Sequence, residues 1–261
     1  MKVWTCIKKL LFLIFFLNRF VEGIPQFYCT AADSDFFPHL LNLIGSMHEH
    51  NSGSLQNIAV FNLGLNDNQI EKLKKIKKVD VYEVEKTHPD LLKYFVRCPS
   101  GRKSRGHYAW KPVVIKQALD MFPYVLYLDA GTTILRNADF LFEHIKKKGY
   151  FLVAAKPWVL RDYLTKQVID LVEKKYRISK QIIFASDAYS ISAGTQGLSR
   201  LVYDDYVLPM YELSKNLALF EDDGSAKLGF GKGRHDQNLF SILAYHNKYK
   251  LILLTQYHSF L

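Results

Sequence analysis

A continuous apolar run near the middle of the chain, residues 124–128, leads into a single carboxylate, Asp129, and then into small residues suited to a turn. An apolar run of this length is typical of a strand that is buried on both faces, as at the centre of a parallel sheet. Asp129 would then lie at the carboxyl end of that strand, where open α/β sheets bind their ligands. Its carboxylate either binds a metal, a sugar or a phosphate-bound cation, or it caps the turn that follows.

Segments typical of strands and helices alternate along the rest of the chain. The residue patterns predict strands at 24–30, 57–63, 79–84, 150–155 and 249–254, and one or two more within 181–192. Apolar residues recur with a helical period at 37–50, 66–78, 108–121, 140–148, 164–175 and 234–245, and 197–219 is predicted to be largely helical. This alternation predicts one α/β domain, residues 24–261, with a mostly parallel central sheet flanked by helices.

The first 23 residues have the layout of a secretory signal peptide. Lys2, Lys8 and Lys9 precede a short apolar core at 10–17, and Gly23 is small enough to end a cleavage site. A membrane-spanning helix needs roughly 20 apolar residues, more than this core supplies. We therefore expect a cleaved leader and a protein of the secretory pathway lumen (ER or Golgi) or outside the cell, with an uncleaved type II anchor as the alternative.

Charge and cysteine usage narrow the possible partners. The formal net charge is +10, and because the leader contributes +3, the remaining chain carries +7. The leader directs the protein away from nucleic acid, so an anionic small substrate or an acidic glycan is the favoured partner, and the basic clusters are otherwise solvated faces. Cys29 and Cys98 remain after the leader. They either pair in an oxidising compartment or stay as buried thiols.

Three short motifs follow one another along nearly all of the chain after the leader. Residues 28–37 (YCTAADSDFF) open the domain, Tyr127-Leu128-Asp129 ends the central strand, and 235–240 (HDQNLF) begin the last long helix. They resemble the Ala-Ala-Asp opening, the Leu-Asp-x-Asp metal motif and the Asp-Gln helix of the retaining glycosyltransferases of family 8, which have the GT-A fold. Residues 192–194 (SAG) are similar to that family's Asn-Ala-Gly, and 108–112 (YAWKP) resemble a segment of poorly characterised glycosyltransferase-like proteins.

The resemblance implies a GT-A-like single domain that transfers a hexose-type sugar, with retention of configuration, from a nucleotide sugar. A UDP-sugar is the favoured donor, a glycan or glycoprotein the acceptor, and a divalent cation, Mn or Mg, the cofactor. Asp236 and Gln237 take the catalytic positions beside the transferred sugar. Asp129 is the first metal ligand and His258 a second. The implied donor-binding residues are Ala31, Asp33, Asp35, Lys111, Ser192 and Gly194.

Each of these roles has a structural alternative. The resemblance places Asp33 and Asp35 against uracil and ribose. They could instead form an Asx turn before the next helix. Asp236 could instead face the acceptor as a general base, which would give inversion, or Asp236 and Gln237 could cap their own helix. Lys111 and Arg105 are candidates for offsetting the charge of a diphosphate leaving group, or they could belong to a solvated basic loop. Trp110 and Trp158 either stack on sugar rings or belong to the core.

The sequence departs from the family at the metal site. The expected Asp-x-Asp is Asp129-Ala130-Gly131, and the C-terminal His-x-x-Gly-x-x-Lys-Pro-Trp is missing, which leaves His258 as the candidate. The departure favours the main rival hypothesis, a non-catalytic secreted relative that binds glycan or serves as a structural protein. A nucleotidyltransferase is a second rival. It is disfavoured by the leader and by the lack of a glycine-rich, basic loop after the first strand.

Overall fold

The computed structural model of the protein describes residues 23–96, 103–229 and 232–253. The predicted leader, except Gly23, lies outside these residues, as do Cys98 and His258. Cys29 is a free thiol that is fully buried. No helix in the part of the chain that is described combines the length and apolar character needed to cross a membrane.

A seven-stranded sheet organises the described residues, with strands in the order β3-β2-β1-β6-β8-β7-β9. Only β8 runs antiparallel to its neighbours in this sheet, so the mostly parallel sheet predicted from the sequence is confirmed. A short two-stranded hairpin, β4–β5, stands apart from it. The strands are β1 Gln26–Asp33, β2 Leu55–Gly64, β3 Val79–Glu83, β4 Tyr94–Val96, β5 Lys103–Arg105, β6 Tyr124–Leu128, β7 Tyr150–Val159, β8 Tyr189–Ser199 and β9 Ile252–Leu253.

Helices cover both faces of the sheet and follow local sequence signals. Asn66 and Gln69 form a reciprocal capping box that starts α2, and Gly149, with a φ of 87°, ends α4 in the left-handed region. The helices are α1 Phe37–Asn51, α2 Asp67–Lys74, α3 Trp110–Met121, α4 Asp139–Lys148, α5 Lys166–Leu171, α6 Lys180–Ile183, α7 Leu208–Leu213 and α8 His235–His246.

The central strand β6 is buried on both faces, as its uninterrupted apolar run predicts. Val125 and Tyr127 pack into the core that includes α3 and α8, whereas Leu126 and Leu128 pack into the core that includes α1 and α4. Successive side chains of a strand point to opposite faces, so a strand between two helical layers must be apolar throughout. Its carboxyl end therefore carries the first polar side chain, Asp129.

The region around β8 differs from the expectation. Residues 180–183 form one helical turn rather than a strand, and β8 continues to Ser199, into a segment predicted to be helical. Gly197 pairs with Leu126 of β6 and Phe151 of β7, and a Cβ added to it would lie 2.4 Å from the side chain of Ile145. Strand pairing on both sides and close helix packing therefore determine the structure here.

Candidate active site

Two adjoining cavities lie at the carboxyl end of the parallel strands. The β1 cavity, of about 500 Å³, is lined by the end of β1 and the β4–β5 hairpin, among others. The α8 cavity, of about 290 Å³, is lined by the starts of α3 and α8 and by the β8 segment 192–194. Asp129 and Tyr108 line both cavities. A ligand with two connected parts could therefore occupy both cavities and pass Asp129.

The structure brings most of the predicted site residues to these cavities. The β1 cavity is lined by Ala31, Asp33 and Asp35, and the α8 cavity by Lys111, Ser192, Gly194, Asp236 and Gln237. Trp158 lines the α8 cavity and is partly exposed, whereas Trp110, buried by its neighbours, lines the β1 cavity. The predicted roles of these residues remain predictions, and His258 falls outside the described residues.

Lys111 joins two carboxylates at the centre of the site. Its Nζ lies 3.1 Å from Asp129 Oδ1 and 3.1 Å from Asp236 Oδ2. Burial alone lowers the pKa of Lys111, but the charges of Asp129 and Asp236 outweigh it, so the net pKa is raised and the ammonium is retained. The side chains of Lys111 and Asp236 are buried, whereas that of Asp129 is 49% exposed and remains accessible to a ligand. Lys111 is thus a buried cation, not part of a solvated loop.

The orientation of Asp129 is fixed by its neighbours. The hydroxyl of Tyr127 donates a hydrogen bond of 2.6 Å to Oδ1, the oxygen that also faces Lys111. Burial first, and then the charge of Asp129, raise the pKa of Tyr127 far above its usual range, so it remains a donor. The amide of Asp129 donates to the carbonyl of Gly194 at 2.9 Å, and a Cβ on Gly194 would lie 2.6 Å from Oδ2. Only glycine at position 194 allows this approach.

The first turn of α8 presents two buried polar side chains to the α8 cavity. Asp236 and Gln237 are both buried there, and Nε2 of Gln237 has no hydrogen-bond partner within residues 23–96, 103–229 and 232–253. A buried amide donor without a partner is unfavourable, so it indicates a position that a ligand oxygen can fill.

Strained backbone surrounds the same cavity. His107, Tyr108 and His235 have φ angles of 48°, 67° and 43°, in the region that side chains with a Cβ rarely adopt. The ring of Tyr108 lies 5.2 Å from that of His235, centre to centre, and the ring of His107 lies 6.2 Å from it. Strain of this kind persists where the surrounding structure enforces it, and it concentrates at functional sites.

Sequence reasoning missed several residues of this site. His235 is buried: Nδ1 lies 2.7 Å from the carbonyl oxygen of Phe220 and Nε2 lies 3.1 Å from Asp222 Oδ2. The guanidinium of Arg234 stacks at 3.9 Å on the ring of Trp158 and lines the α8 cavity. Asp222 lies in a glycine-rich loop whose pattern carries no signal for this pairing.

The described residues do not assemble a metal centre by themselves. No group of three or more His, Cys, Asp or Glu side chains able to hold a metal ion occurs among them. Asp129 offers one exposed carboxylate, whose Oδ1 already faces Lys111 and Tyr127. Mn²⁺ and Mg²⁺ prefer several oxygen ligands. This donor set is therefore short of what a resident divalent cation needs.

Comparison with solved structures identifies the architecture as the GT-A fold. Core-mannan synthase A (CmsA/Ktr4) from Aspergillus fumigatus, in its Mn/GDP form, matches with a TM-score of 0.61 and 12% identity over 90% of this chain and 73% of that chain. Mouse xyloside xylosyltransferase 1 matches with a TM-score of 0.50 and 12% identity, over 88% of this chain and 84% of that one.

A third structure, the mannosyltransferase Ktr4p from S. cerevisiae in complex with GDP, matches with a TM-score of 0.50 and 13% identity over 90% of this chain and 71% of that chain. Identities this low establish the fold alone. No protein-family model matches the sequence, and no curated protein matches it significantly. The GT-A fold predicted from the three motifs is thus confirmed, and the resemblance to family 8 in particular remains a prediction.

Proposed function

We propose that the protein is a glycosyltransferase that moves a sugar from a nucleoside diphosphate to a glycan or protein acceptor. The observation that carries this proposal is the cluster of Asp129, Lys111, Asp236 and Gln237 between two adjoining cavities, at the carboxyl edge of a GT-A sheet. The nucleoside would occupy the larger β1 cavity and the sugar the α8 cavity. The diphosphate would pass Asp129, which lines both.

The side chains in the α8 cavity suit departure of a diphosphate. The leaving group gains about two negative charges, which fixed cations and hydrogen-bond donors stabilise best in a partly dry site. Lys111 is a buried, permanently charged group there, and Arg234 brings a second cation to the same cavity. Nε2 of Gln237, which has no partner among the described residues, would donate to an oxygen of the sugar. Asp236, held by Lys111, would accept from a sugar hydroxyl.

Several finer points of the proposal rest on the sequence. The UDP-sugar donor and the retention of configuration rest on the family resemblance, and the secretory location rests on the leader. A divalent cation, Mn or Mg, rests on the same resemblance, and core-mannan synthase A in its Mn/GDP form shows that one protein of this fold binds manganese. In this chain the single carboxylate of Asp129 is the described candidate ligand.

One observation favours a second candidate function, a non-catalytic protein that binds glycan. Gly131 stands where the related motif has its second metal-binding carboxylate. A protein of this kind could retain an acceptor-binding surface near Trp158 without transferring sugar.

Thermal unfolding of the purified full-length protein against a panel of UDP- and GDP-sugars, each with manganese or with EDTA, tests the proposal. A ligand at about 100 times its dissociation constant stabilises the folded state by roughly 2.7 kcal/mol, which is readily measured. We expect one nucleotide sugar to raise Tm and to be consumed when acceptor glycans are added. A folded protein that responds to none of them would contradict the proposal and favour the glycan-binding alternative. Asp129→Asn, nearly isosteric, is the control that should remove the response.

A further inference from the structure

The β4–β5 hairpin lies outside the main sheet and forms one wall of the β1 cavity. Four of its residues line that cavity: Tyr94, Lys103, Ser104 and Arg105. The guanidinium of Arg105 stacks at 3.8 Å on the ring of Tyr94, so the two strands are also joined through their side chains. A ligand in the β1 cavity would therefore contact the hairpin.

Asp33 fastens this hairpin to the end of β1. Its Oδ2 accepts hydrogen bonds from the hydroxyl of Tyr94 at 2.8 Å and from Nε of Arg105 at 3.0 Å. Its Oδ1 accepts from the backbone amides of Asp35 and Phe36, each at 3.2 Å. A carboxylate has about four lone-pair positions, so these four donors use its hydrogen-bonding capacity. Asp33 has little capacity left to read a base, although it lines the cavity.

Packing against the end of β2 also fixes the position of the hairpin relative to β1. Gly64, at the end of β2, has a φ of 135°, and a Cβ there would lie 2.6 Å from a terminal nitrogen of Arg105. Arg105 in turn donates to the carbonyl of Leu92 at 3.0 Å. The position of Arg105 therefore depends on contacts with three separate segments of the chain.

Ser104 provides a hydroxyl on the hairpin that the described residues leave without a hydrogen-bond partner. The residue is 3% exposed, lines the β1 cavity, and its hydroxyl has no hydrogen-bond partner in the part of the chain that the structure describes. Buried hydroxyls are nearly always paired, and a ligand that supplies the partner recovers the cost of burial. Lys103 and Arg105, on either side of it in β5, also line this cavity.

We propose that the β4–β5 hairpin recognises the nucleoside of the donor, with the Ser104 hydroxyl as its hydrogen-bonding contact and Asp33 as the residue that positions the hairpin. This inference rests on the proposed function, because it assigns part of the same donor site. It differs from the role that the family resemblance gives to Asp33, in which the carboxylate itself contacts the base.

Calorimetric titration of the full-length protein with UDP, GDP, CDP, ADP and inorganic pyrophosphate tests the assignment. Asp33→Asn should weaken every nucleoside diphosphate that binds by a similar factor, about tenfold, and leave their ranking and the pyrophosphate affinity unchanged. The same variant should speed amide hydrogen exchange at 94–96 and 103–105. Tyr94→Phe, which removes one contact to Asp33 and leaves the carboxylate in place, should act in the same direction.

Ser104→Ala removes the proposed contact without loosening the hairpin. We expect nucleoside diphosphate affinity to fall about five- to tenfold, as for one lost hydrogen bond, with hairpin exchange and pyrophosphate affinity unchanged. Ser190→Ala is the matched control, because Ser190 has an equally buried hydroxyl without a partner among the described residues but lines neither cavity. Its affinities should equal those of the wild type.

The outcomes separate this inference from the proposed function. If Asp33→Asn loses affinity for only one nucleoside diphosphate, Asp33 itself contacts the base. If Ser104→Ala binds nucleoside diphosphates as tightly as the wild type, the Ser104 hydroxyl does not contact the nucleoside. Either result overturns the inference while nucleotide binding by the wild type stands. A wild-type protein that is folded and binds none of the four nucleoside diphosphates would overturn the proposed function as well.

Discussion

At the scale of single residues, the site depends on one ammonium held between two carboxylates. Replacing Lys111 with Met should destabilise the fold by about 3–5 kcal/mol, because Asp236 would then be a buried charge without its partner. Lys111→Arg keeps the charge and should lose less. Urea unfolding of both variants checks this. Equal stability of Lys111→Met and the wild type would mean that the buried pair contributes nothing to folding.

Gly194 supports a second prediction at this scale. Gly194→Ala places a methyl group 2.6 Å from Asp129 Oδ2, so the carboxylate must shift and donor binding should fall by about tenfold or more. Gly45→Ala in α1 is the matched control, since among the described residues its added Cβ meets no atom within 4 Å apart from its chain neighbours and its own helix backbone. It should stabilise the helix by about 0.5–1 kcal/mol and leave donor binding unchanged. Similar binding in the two variants would contradict the close contact.

At the scale of secondary structure elements, local signals predicted some segments well and failed in others. The apolar run of β6 and the polar capping residues of α2 specify those elements directly. The pattern around Gly197 does not predict β8, because that strand depends on pairing with β6 and β7, which are distant in the sequence. The short β4–β5 hairpin is not among the predicted strands, since strands of three residues carry almost no periodicity. Its contact with Asp33 was therefore missed.

The capping box of α2 gives a prediction at the same scale. Asn66→Ala removes the side-chain acceptor for the Gln69 amide and should cost about 0.5–2 kcal/mol of stability. Asn66 lines neither cavity, so donor binding measured well below Tm should not change. Asp67→Asn in the next position keeps the capping box and is the control. A loss of binding in Asn66→Ala would mean that the hydrogen bond from Ser34 to Gln69 transmits the change to Asp33 and Asp35 in the β1 cavity.

At the scale of the whole molecule, the motifs located the site because the ends of parallel strands meet at one edge of the sheet. Asp33, Asp129 and Asp236 lie far apart in the sequence, yet all three line the two cavities. What the motifs could not predict was the pairing of these carboxylates within the protein, with Arg105, Tyr94 and Lys111. Such pairings depend on side-chain geometry, which a one-dimensional pattern does not encode.

Buried titratable groups across the whole molecule predict how its stability depends on pH. Burial lowers the pKa of Lys111, but the charges of two neighbouring carboxylates outweigh it, so the net pKa is raised. Burial raises the pKa of Tyr127 and Tyr206, and it raises the pKa of Tyr245 to about 12. Unfolded Lys and Tyr titrate near pH 10. In each case the folded state binds the proton more tightly, so the stabilisation is complete below about pH 10 and is lost as pH rises through the folded pKa values.

We therefore expect the free energy of unfolding to change little through these groups between pH 7 and about pH 9.5 and to fall steeply above about pH 10. Urea unfolding at each pH, followed by tryptophan fluorescence, measures the fall, and the ultraviolet absorbance of tyrosinate reports ionisation. Because the buried tyrosines can ionise only when the chain unfolds, much of the tyrosinate signal should appear together with the loss of structure. Ionisation of all the tyrosines near pH 10 in a protein that stays folded would contradict the burial of Tyr127 and Tyr206 beside the site.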